Sequence, residues 1–332
     1  MQEERTILEA IDQLKNNTGI KANWKNVGPK ELDGTMAFEY NGHKYVVYIE
    51  AKTGFRNYQL PMLIELKRKY QPLMVIAEHI FPKIKEELRT LGIGYLETNG
   101  NIFFKYDNIF LWNDGQKRME KHKTKLGRAF TKTGLKLVFH FLLNEDLVNK
   151  TYREIALETG IGFGNINFVI TDLKEQGYLI PLDKDNYKLT NKKELLNKWM
   201  DAYEVKLKPD LLVGTFRFLK DQDFLNWKTL PIQNKKTWWG GEPAGDLLTK
   251  YLQPGKLTLY TLERRNELIK HYRLVPDEQG NVKAYQKFWQ YDEDNKNVVP
   301  PLLAYVDLMN TGDRRCIETA QKIYDGYLQD KL

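Results

Sequence analysis

The stretch from Arg128 to Asn191 constrains this chain most, because several independent local signals in it agree on one order of elements. Thr131 to Leu143 carries apolar residues at Leu135, Val138, Phe139 and Leu142, the spacing of an amphipathic helix. Thr151 with Glu154 three residues later is a capping-box pattern that opens a second helix and turns Ile155 and Ala156 inward. Gly160-Ile161-Gly162 supplies a tight turn, and a third helix is expected from about Gly164 to Gln176. Its inward face is Ile166, Val169, Ile170 and Leu173, which leaves Asn165, Asn167, Phe168, Thr171 and Lys174 outward. Gly177-Tyr178-Leu179-Ile180, a turn around Asp183 to Asn186, and Tyr187-Lys188-Leu189 then make a short hairpin.

Helix, helix, glycine turn, helix, hairpin is the order of a winged helix-turn-helix, whose third helix enters the major groove of double-stranded DNA. Asparagine side chains such as Asn165 and Asn167 can bond adenine edges, and Phe168 can touch a thymine methyl. The helix start at Gly164, with Thr151 and Arg153, offers a phosphate site; Arg128, Lys132, Lys184 and Lys188 flank it, and Thr171 and Lys174 share the outward face. The other reading is a winged helix used for protein contacts alone, since the third helix has one lysine and no arginine. The formal charge of +7 favours polyanionic partners. The excess gathers at one junction, where Lys117, Arg118, Lys121, Lys123, Lys125, Arg128, Lys132 and Lys136 face a single acid, Glu120.

A chain of 332 residues exceeds what one core usually serves, so several domains are expected. Composition zones divide it into an α/β domain over 1–115, a basic linker over 116–127, the winged helix over 128–191 and a C-terminal α+β domain over 199–332. With 42% hydrophobic and 29% charged residues it can bury a sizeable core. The single cysteine, Cys316, excludes an internal disulfide framework and a cysteine-rich zinc site. The first residues have no apolar signal-peptide core, and the longest apolar stretch, Leu73 to Phe81, is interrupted by Glu78 and His79. The expectation is a cytoplasmic protein with no membrane partner; oligomeric state is not readable.

In the first domain, Asn41-Gly42 and Asn99-Gly100 each read as a two-residue hairpin turn. Around the first, residue i faces residue 83 − i, which pairs Glu39 with Lys44, Phe38 with Tyr45, Ala37 with Val46, Met36 with Val47 and Thr35 with Tyr48. Continuing the count sets Asp33 opposite Glu50, with Lys52 on their face. Facing carboxylates repel unless a cation lies between them, so either a divalent metal held by Asp33 and Glu50 or a surface ion-pair cluster with Lys52 is expected. Asp33 followed by Glu50-Ala51-Lys52 resembles the signature of the restriction-endonuclease-like fold, although Leu32 stands where that family usually has proline. The resemblance implies Mg²⁺ on the two carboxylates and Lys52 activating water, with Gln59 and Glu9 as further candidate positions.

In the last region, Trp238-Trp239-Gly240-Gly241-Glu242-Pro243 precedes an expected helix from Ala244 to Tyr251 with Pro243 at its first position, then a strand from Lys256 to Thr261. The strand lacks the Asp-x-Asp pair of a nucleotidyltransferase, so the glycines read as a close backbone approach. A terminal helix is expected to place Ile317, Ala320, Ile323, Tyr324 and Tyr327 on one face. Glu50-Ala51-Lys52, the run Gly94 to Asn101, Tyr152-Arg153-Glu154-Ile155-Ala156, Gly240-Gly241-Glu242-Pro243-Ala244 and Tyr305-Val306-Asp307-Leu308 together resemble the AbiEi-type antitoxins and transcriptional regulators of type IV toxin–antitoxin systems. That resemblance implies a DNA-binding repressor that also opposes a nucleotidyltransferase-like toxin, a role requiring neither enzymatic activity nor a cofactor. The competing expectation is a Mg²⁺-dependent endonuclease at Asp33, Glu50 and Lys52, targeted by the winged helix.

Overall fold

The computed structural model describes residues 2–52, 55, 59–80, 82–116, 127–183, 186–232, 235–290 and 297–332. They fall into two compact units, Met1–His122 and Lys123–Leu332. Lys184 and the basic residues Lys117, Arg118, Lys121, Lys123 and Lys125 lie outside the described residues, as does most of the expected linker. Gln116, assigned to that linker, instead belongs to the first unit, where its N–H donates to Asn101 Oδ1 at 2.9 Å.

In the first unit, α1 (Gln2–Thr18) is followed by β1 (Ala22–Lys25), β2 (Gly34–Tyr40), β3 (His43–Lys52), α2 (Leu60–Lys69), β4 (Leu73–Ala77), α3 (Pro82–Thr90), β5 (Gly94–Glu97), β6 (Ile102–Tyr106) and β7 (Ile109–Asn113). The strands pair in sequence order, with β3, β4 and β5 parallel and the other neighbours antiparallel. Alternation divides the sheet into two apolar faces. One face, with Met36, Phe38, Val47, Ile49, Met74, Ile76 and Phe104, packs on Ile7, Ala10 and Leu14 of α1. The other, with Leu73, Val75, Tyr95 and Phe103, packs on Leu60, Leu63 and Leu66 of α2 and Ile84 and Leu88 of α3.

The β2–β3 register follows the 83 − i rule from Gly34↔Ile49 to Tyr40↔His43, and Asn41 (φ 49) and Gly42 (φ 76) occupy the turn, as a type I′ hairpin demands. The hairpin at Asn99-Gly100 differs from the expected two-residue turn. Leu96 pairs with Ile102, and Glu97 N–H donates to Asn101 O at 2.9 Å, which leaves a three-residue loop of Thr98, Asn99 and Gly100. Of these only Gly100 takes positive φ, 86°, so one left-handed residue closes the loop instead of the two that the shorter turn needs.

The second unit opens with a 3₁₀ turn at Arg128–Phe130 and α4 (Lys132–Leu143), then α5 (Tyr152–Thr159), α6 (Phe163–Glu175), β8 (Leu179–Pro181), β9 (Tyr187–Leu189) and α7 (Lys192–Ala202). Thr151 and Glu154 form both halves of the capping box on α5, and Gly160 ends that helix at φ 69. There follow β10 (Leu212–Phe218), α8 (Asp221–Leu225), β11 (Thr237–Gly240), α9 (Gly241–Thr249), β12 (Leu257–Thr261), α10 (Arg265–Tyr272), β13 (Leu274–Pro276), β14 (Val282–Gln286), α11 (Pro301–Met309) and α12 (Arg314–Ile323). The larger sheet runs β11-β12-β14-β10-β13, with only β12 and β14 parallel.

One apolar core runs from Ala129 to Leu328, and α7 carries it across the expected boundary between 128–191 and 199–332. The Trp199 ring stacks on Phe139 of α4 at 5.3 Å and on Tyr203 at 4.7 Å, and its indole N–H donates to Leu135 O at 2.7 Å. Phe288 packs on Phe139 at 5.0 Å and Trp289 on Tyr260 at 5.5 Å, which carries the aromatic contact through to β12.

Two helices in this unit depart from expectation. Pro243 is the third residue of α9, not the first, because Gly241 at φ 50 already starts the turn; a Cβ there would lie 2.8 Å from Thr258 Oγ1. In α12 the buried residues are Cys316, Thr319, Ala320 and Ile323, while Tyr327 beyond its end is exposed. Ala320 and Ile323 are buried as expected; Thr319 joins them because α12 packs closely on Gly245 of α9, where a Cβ would stand 3.0 Å from both Thr319 and Leu308.

Candidate functional site

Helix α6 is amphipathic in the sense expected: Ile166, Val169, Ile170 and Leu173 are buried, and Asn165, Asn167, Phe168 and Thr171 are exposed. Gly162 and Gly164 leave its N-terminus uncluttered, since a Cβ at Gly164 would meet nothing within 4 Å. The Asn165 side-chain amide has no hydrogen-bond partner among the described residues, whereas Asn167 Oδ1 accepts from the Tyr152 hydroxyl at 3.2 Å. Tyr152 also meets Phe163 edge-on at 5.7 Å, and Phe163 and Phe168 are 60% and 52% exposed. Arg128 lies over the Phe168 ring at 5.1 Å, and Lys174 over the Tyr187 ring at 3.6 Å. The contacts of Tyr152 and Phe163 at the start of α6, and of Tyr187 with Lys174 in its last turn, were not foreseen in the sequence.

The cations divide into free and engaged groups. Arg153 and Lys188 are exposed with no ionic partner among the described residues. Lys132 is paired with Asp210. The Thr151 hydroxyl donates to Glu154 Oε2 at 2.7 Å and accepts from Glu154 N at 3.3 Å. Glu154 therefore stands beside Thr151 as a like charge to any phosphate.

In the first unit Asp33 lies just before β2, with its N–H donating to Ile49 O at 2.9 Å, so it does sit beside Glu50. Its Oδ2 accepts the Ala51 N–H at 2.7 Å, and its charge acts on both Glu50 and Lys52. Glu50 is 4% exposed and paired with Lys52 at 2.9 Å, and Glu3 of α1 reaches Lys52 at 3.5 Å. Burial raises the Glu50 pKa against the Lys52 contact, with Asp33 and Glu3 adding to the rise. Burial would lower Lys52, but Glu50 outweighs it and holds the ammonium charged. Glu9 accepts from Arg5 at 3.0 Å and Gln59 immediately precedes α2, where its side chain makes no cap. Among the described residues no group of three or more His, Cys, Asp or Glu could hold a metal ion.

A second network of the first unit centres on Glu97, which is fully buried at the end of β5. It accepts from Lys85 at 2.7 Å, Asn101 at 2.8 Å, His79 at 3.1 Å and the Ile80 N–H. Burial alone would raise its pKa, but these donors outweigh it and hold the carboxyl below its ordinary value. Lys85 continues to Asp114 at 2.9 Å, and Asp114 takes the Tyr95 hydroxyl at 2.6 Å.

The second unit buries two more. Tyr203 meets the Tyr260 hydroxyl at 2.6 Å, Tyr260 donates to Asp307 at 2.9 Å, and Lys208 pairs with Asp307 and Glu204 at 3.0 Å each. Burial pulls the Lys208 ammonium down, yet Asp307 and Glu204 outweigh it and keep it charged. Around Glu263, the Thr237 hydroxyl, the Tyr272 hydroxyl and His271 Nδ1 all converge at 2.5 Å. Asp307 belongs to the Tyr305-Val306-Asp307-Leu308 run, so that run holds a buried ion pair.

The two networks of the second unit lie within one matched stretch. Residues 188–329 match a family model. Its description is transcriptional regulator, AbiEi antitoxin, type IV TA system. No curated protein and no solved structure matches the chain. The AbiEi match begins within β9, takes in α7 and the larger sheet, and ends beyond α12. Among the described residues, no helix is long and apolar enough to cross a membrane.

Proposed function

We propose that the chain is a DNA-binding transcriptional regulator and antitoxin of a type IV toxin–antitoxin system, with α4 to β9 acting as a winged helix. The observation that carries this is α6: a helix with a buried apolar face and an exposed polar one, preceded by a capped helix and followed by a hairpin. In this reading Asn165, Asn167, Phe168 and Thr171 read base edges. Arg153, Lys188 and Arg128 contact phosphates, with Gly164 letting the backbone approach. The AbiEi match supports a regulator with DNA and a toxin as partners, the toxin here being of nucleotidyltransferase type. Titrating the protein against DNA from upstream of its own gene and against random DNA tests the regulator role. Co-expression with a nucleotidyltransferase-like toxin encoded beside the chain's gene, if one stands there, tests the antitoxin role: rescued growth supports it, and unrelieved toxicity refutes it.

A second reading, a Mg²⁺-dependent endonuclease, is favoured by the proximity of Asp33, Glu50 and Lys52 in a unit with an α-β-β-β-α-β start. Asp33 and Glu50 are oxygen donors of the type a hard cation takes. Their present partners, Ala51 N–H and Lys52, satisfy part of that donor set without a metal. Plasmid cleavage with Mg²⁺ that disappears in Lys52→Ala supports this reading, and absence of cleavage refutes it.

A further inference from the structure

The sheet of the first unit ends in β7, Ile109-Phe110-Leu111-Trp112-Asn113, and no other strand of the described residues covers its outer side. Edge strands are usually protected by charge, proline or a bulge. This one contains no charged residue and no proline, and it pairs with β6 without a break from Tyr106↔Ile109 to Ile102↔Asn113. Phe110 and Trp112 are each 57% exposed on the same face. Trp112 is held in place by an indole hydrogen bond to Asp114 at 3.2 Å and by edge-on contact with Phe103 at 6.3 Å.

The ladder decides which backbone groups are free. Asp107-Asn108 is a two-residue turn, so Tyr106 and Ile109 form a hydrogen-bonded pair, and bonded pairs recur at Leu111 and Asn113. The N–H and C=O groups of Phe110 and Trp112 therefore point away from β6. We propose that β7 pairs antiparallel with β7 of a second copy of this chain, about a two-fold axis through Leu111. In that register Phe110 of each copy faces Trp112 of the other as a hydrogen-bonded pair, and Ile109 faces Asn113. Both free residues find their partners, the aromatic pairs repeat on one face, and no like charges oppose.

The outward N–H and C=O groups of Phe110 and Trp112 select a protein strand over a nucleic acid, whose phosphates could satisfy the N–H groups alone. The cations beside these rings are Arg89, 5.3 Å from Trp112 and paired with Asp114 at 3.2 Å, and Lys105, exposed opposite Phe110. The inference does not rest on the DNA-binding reading.

Light scattering on the full chain, from low to high micromolar concentration, is the test. The mass should rise from 39.1 kDa toward twice that value. Phe110→Glu/Trp112→Glu sets carboxylates against each other in both facing pairs and should stay at 39.1 kDa. Phe110→Glu/Trp112→Lys sets each carboxylate against an ammonium and should restore association. A wild-type mass that stays at 39.1 kDa, association of the double-Glu variant, or failure of the Glu/Lys variant to associate overturns the proposal. If the charged variants do not fold, amide exchange on the wild type decides: protection of Phe110 and Trp112 must rise with protein concentration, and unchanged protection overturns it.

Discussion

Trp199→Ala tests whether the segment from α4 to β9 and the larger sheet fold as one body. Trp199 is fully buried, stacks on Phe139 and Tyr203, and donates its indole N–H to Leu135 O. Truncating a buried tryptophan costs about 3–5 kcal/mol through lost burial and the cavity left behind. The hydrogen bond adds about 1 kcal/mol, since the Leu135 carbonyl retains its helical environment. For a unit spanning Lys123–Leu332, each kcal/mol moves the melting midpoint by about 2–4 °C, so a fall of roughly 8–24 °C is expected. Calorimetry should show this fall in one transition while that of Met1–His122 stays in place. Hydrogen exchange should accelerate together in α4, α6, β12 and β14. Faster exchange confined to α4 through β9, with β12 and β14 still protected, would refute the shared-core account.

Three further outcomes follow from particular side chains. The Glu97 pKa is depressed in the folded state, so its contribution is present above the ordinary value of 4.5 and is lost as pH falls through the folded value. Urea midpoints of the first unit should drop on acidification, and Glu97→Gln should cost on the order of 3 kcal/mol at neutral pH and flatten that dependence. Lys52→Ala leaves Glu50 buried without its ammonium and should destabilise the first unit by about 2 kcal/mol, measured by urea unfolding; no change would mean that the pair is loose in solution. Arg153→Ala should lower the salt dependence of DNA binding by about one counterion, whereas Lys132→Ala, already paired with Asp210, should change it little.

What was legible in the sequence is what short-range chemistry decides. Thr151 and Glu154 lie three residues apart and announce a helix start without reference to the rest of the chain. Asn41-Gly42 fixes a register because both residues must take positive φ, and every pair from Thr35↔Tyr48 to Glu39↔Lys44 follows. Asn99-Gly100 misleads because a glycine in the left-handed region closes a three-residue loop equally well. The face of α12 was legible at Ala320 and Ile323, but the burial of Thr319 was not, because it depends on Gly245 of α9, far away in sequence. Asp33 was placed beside Glu50 by counting, but the count cannot see its carboxylate turn to the Ala51 N–H. The Lys208, Asp307, Tyr260 and Tyr203 network joins three stretches of chain separated by up to about a hundred residues, and no spacing rule reaches that far.

The central claim is that the exposed face of α6 reads DNA sequence. Fluorescence anisotropy at physiological salt, with DNA from upstream of the chain's own gene and with random DNA, measures it most directly. Specific DNA should bind at least about 10³-fold more tightly. Asn165→Ala/Asn167→Ala should erase most of that preference while leaving random-DNA affinity nearly unchanged. Equal affinity for both DNAs, or a preference that survives the double substitution, would contradict it.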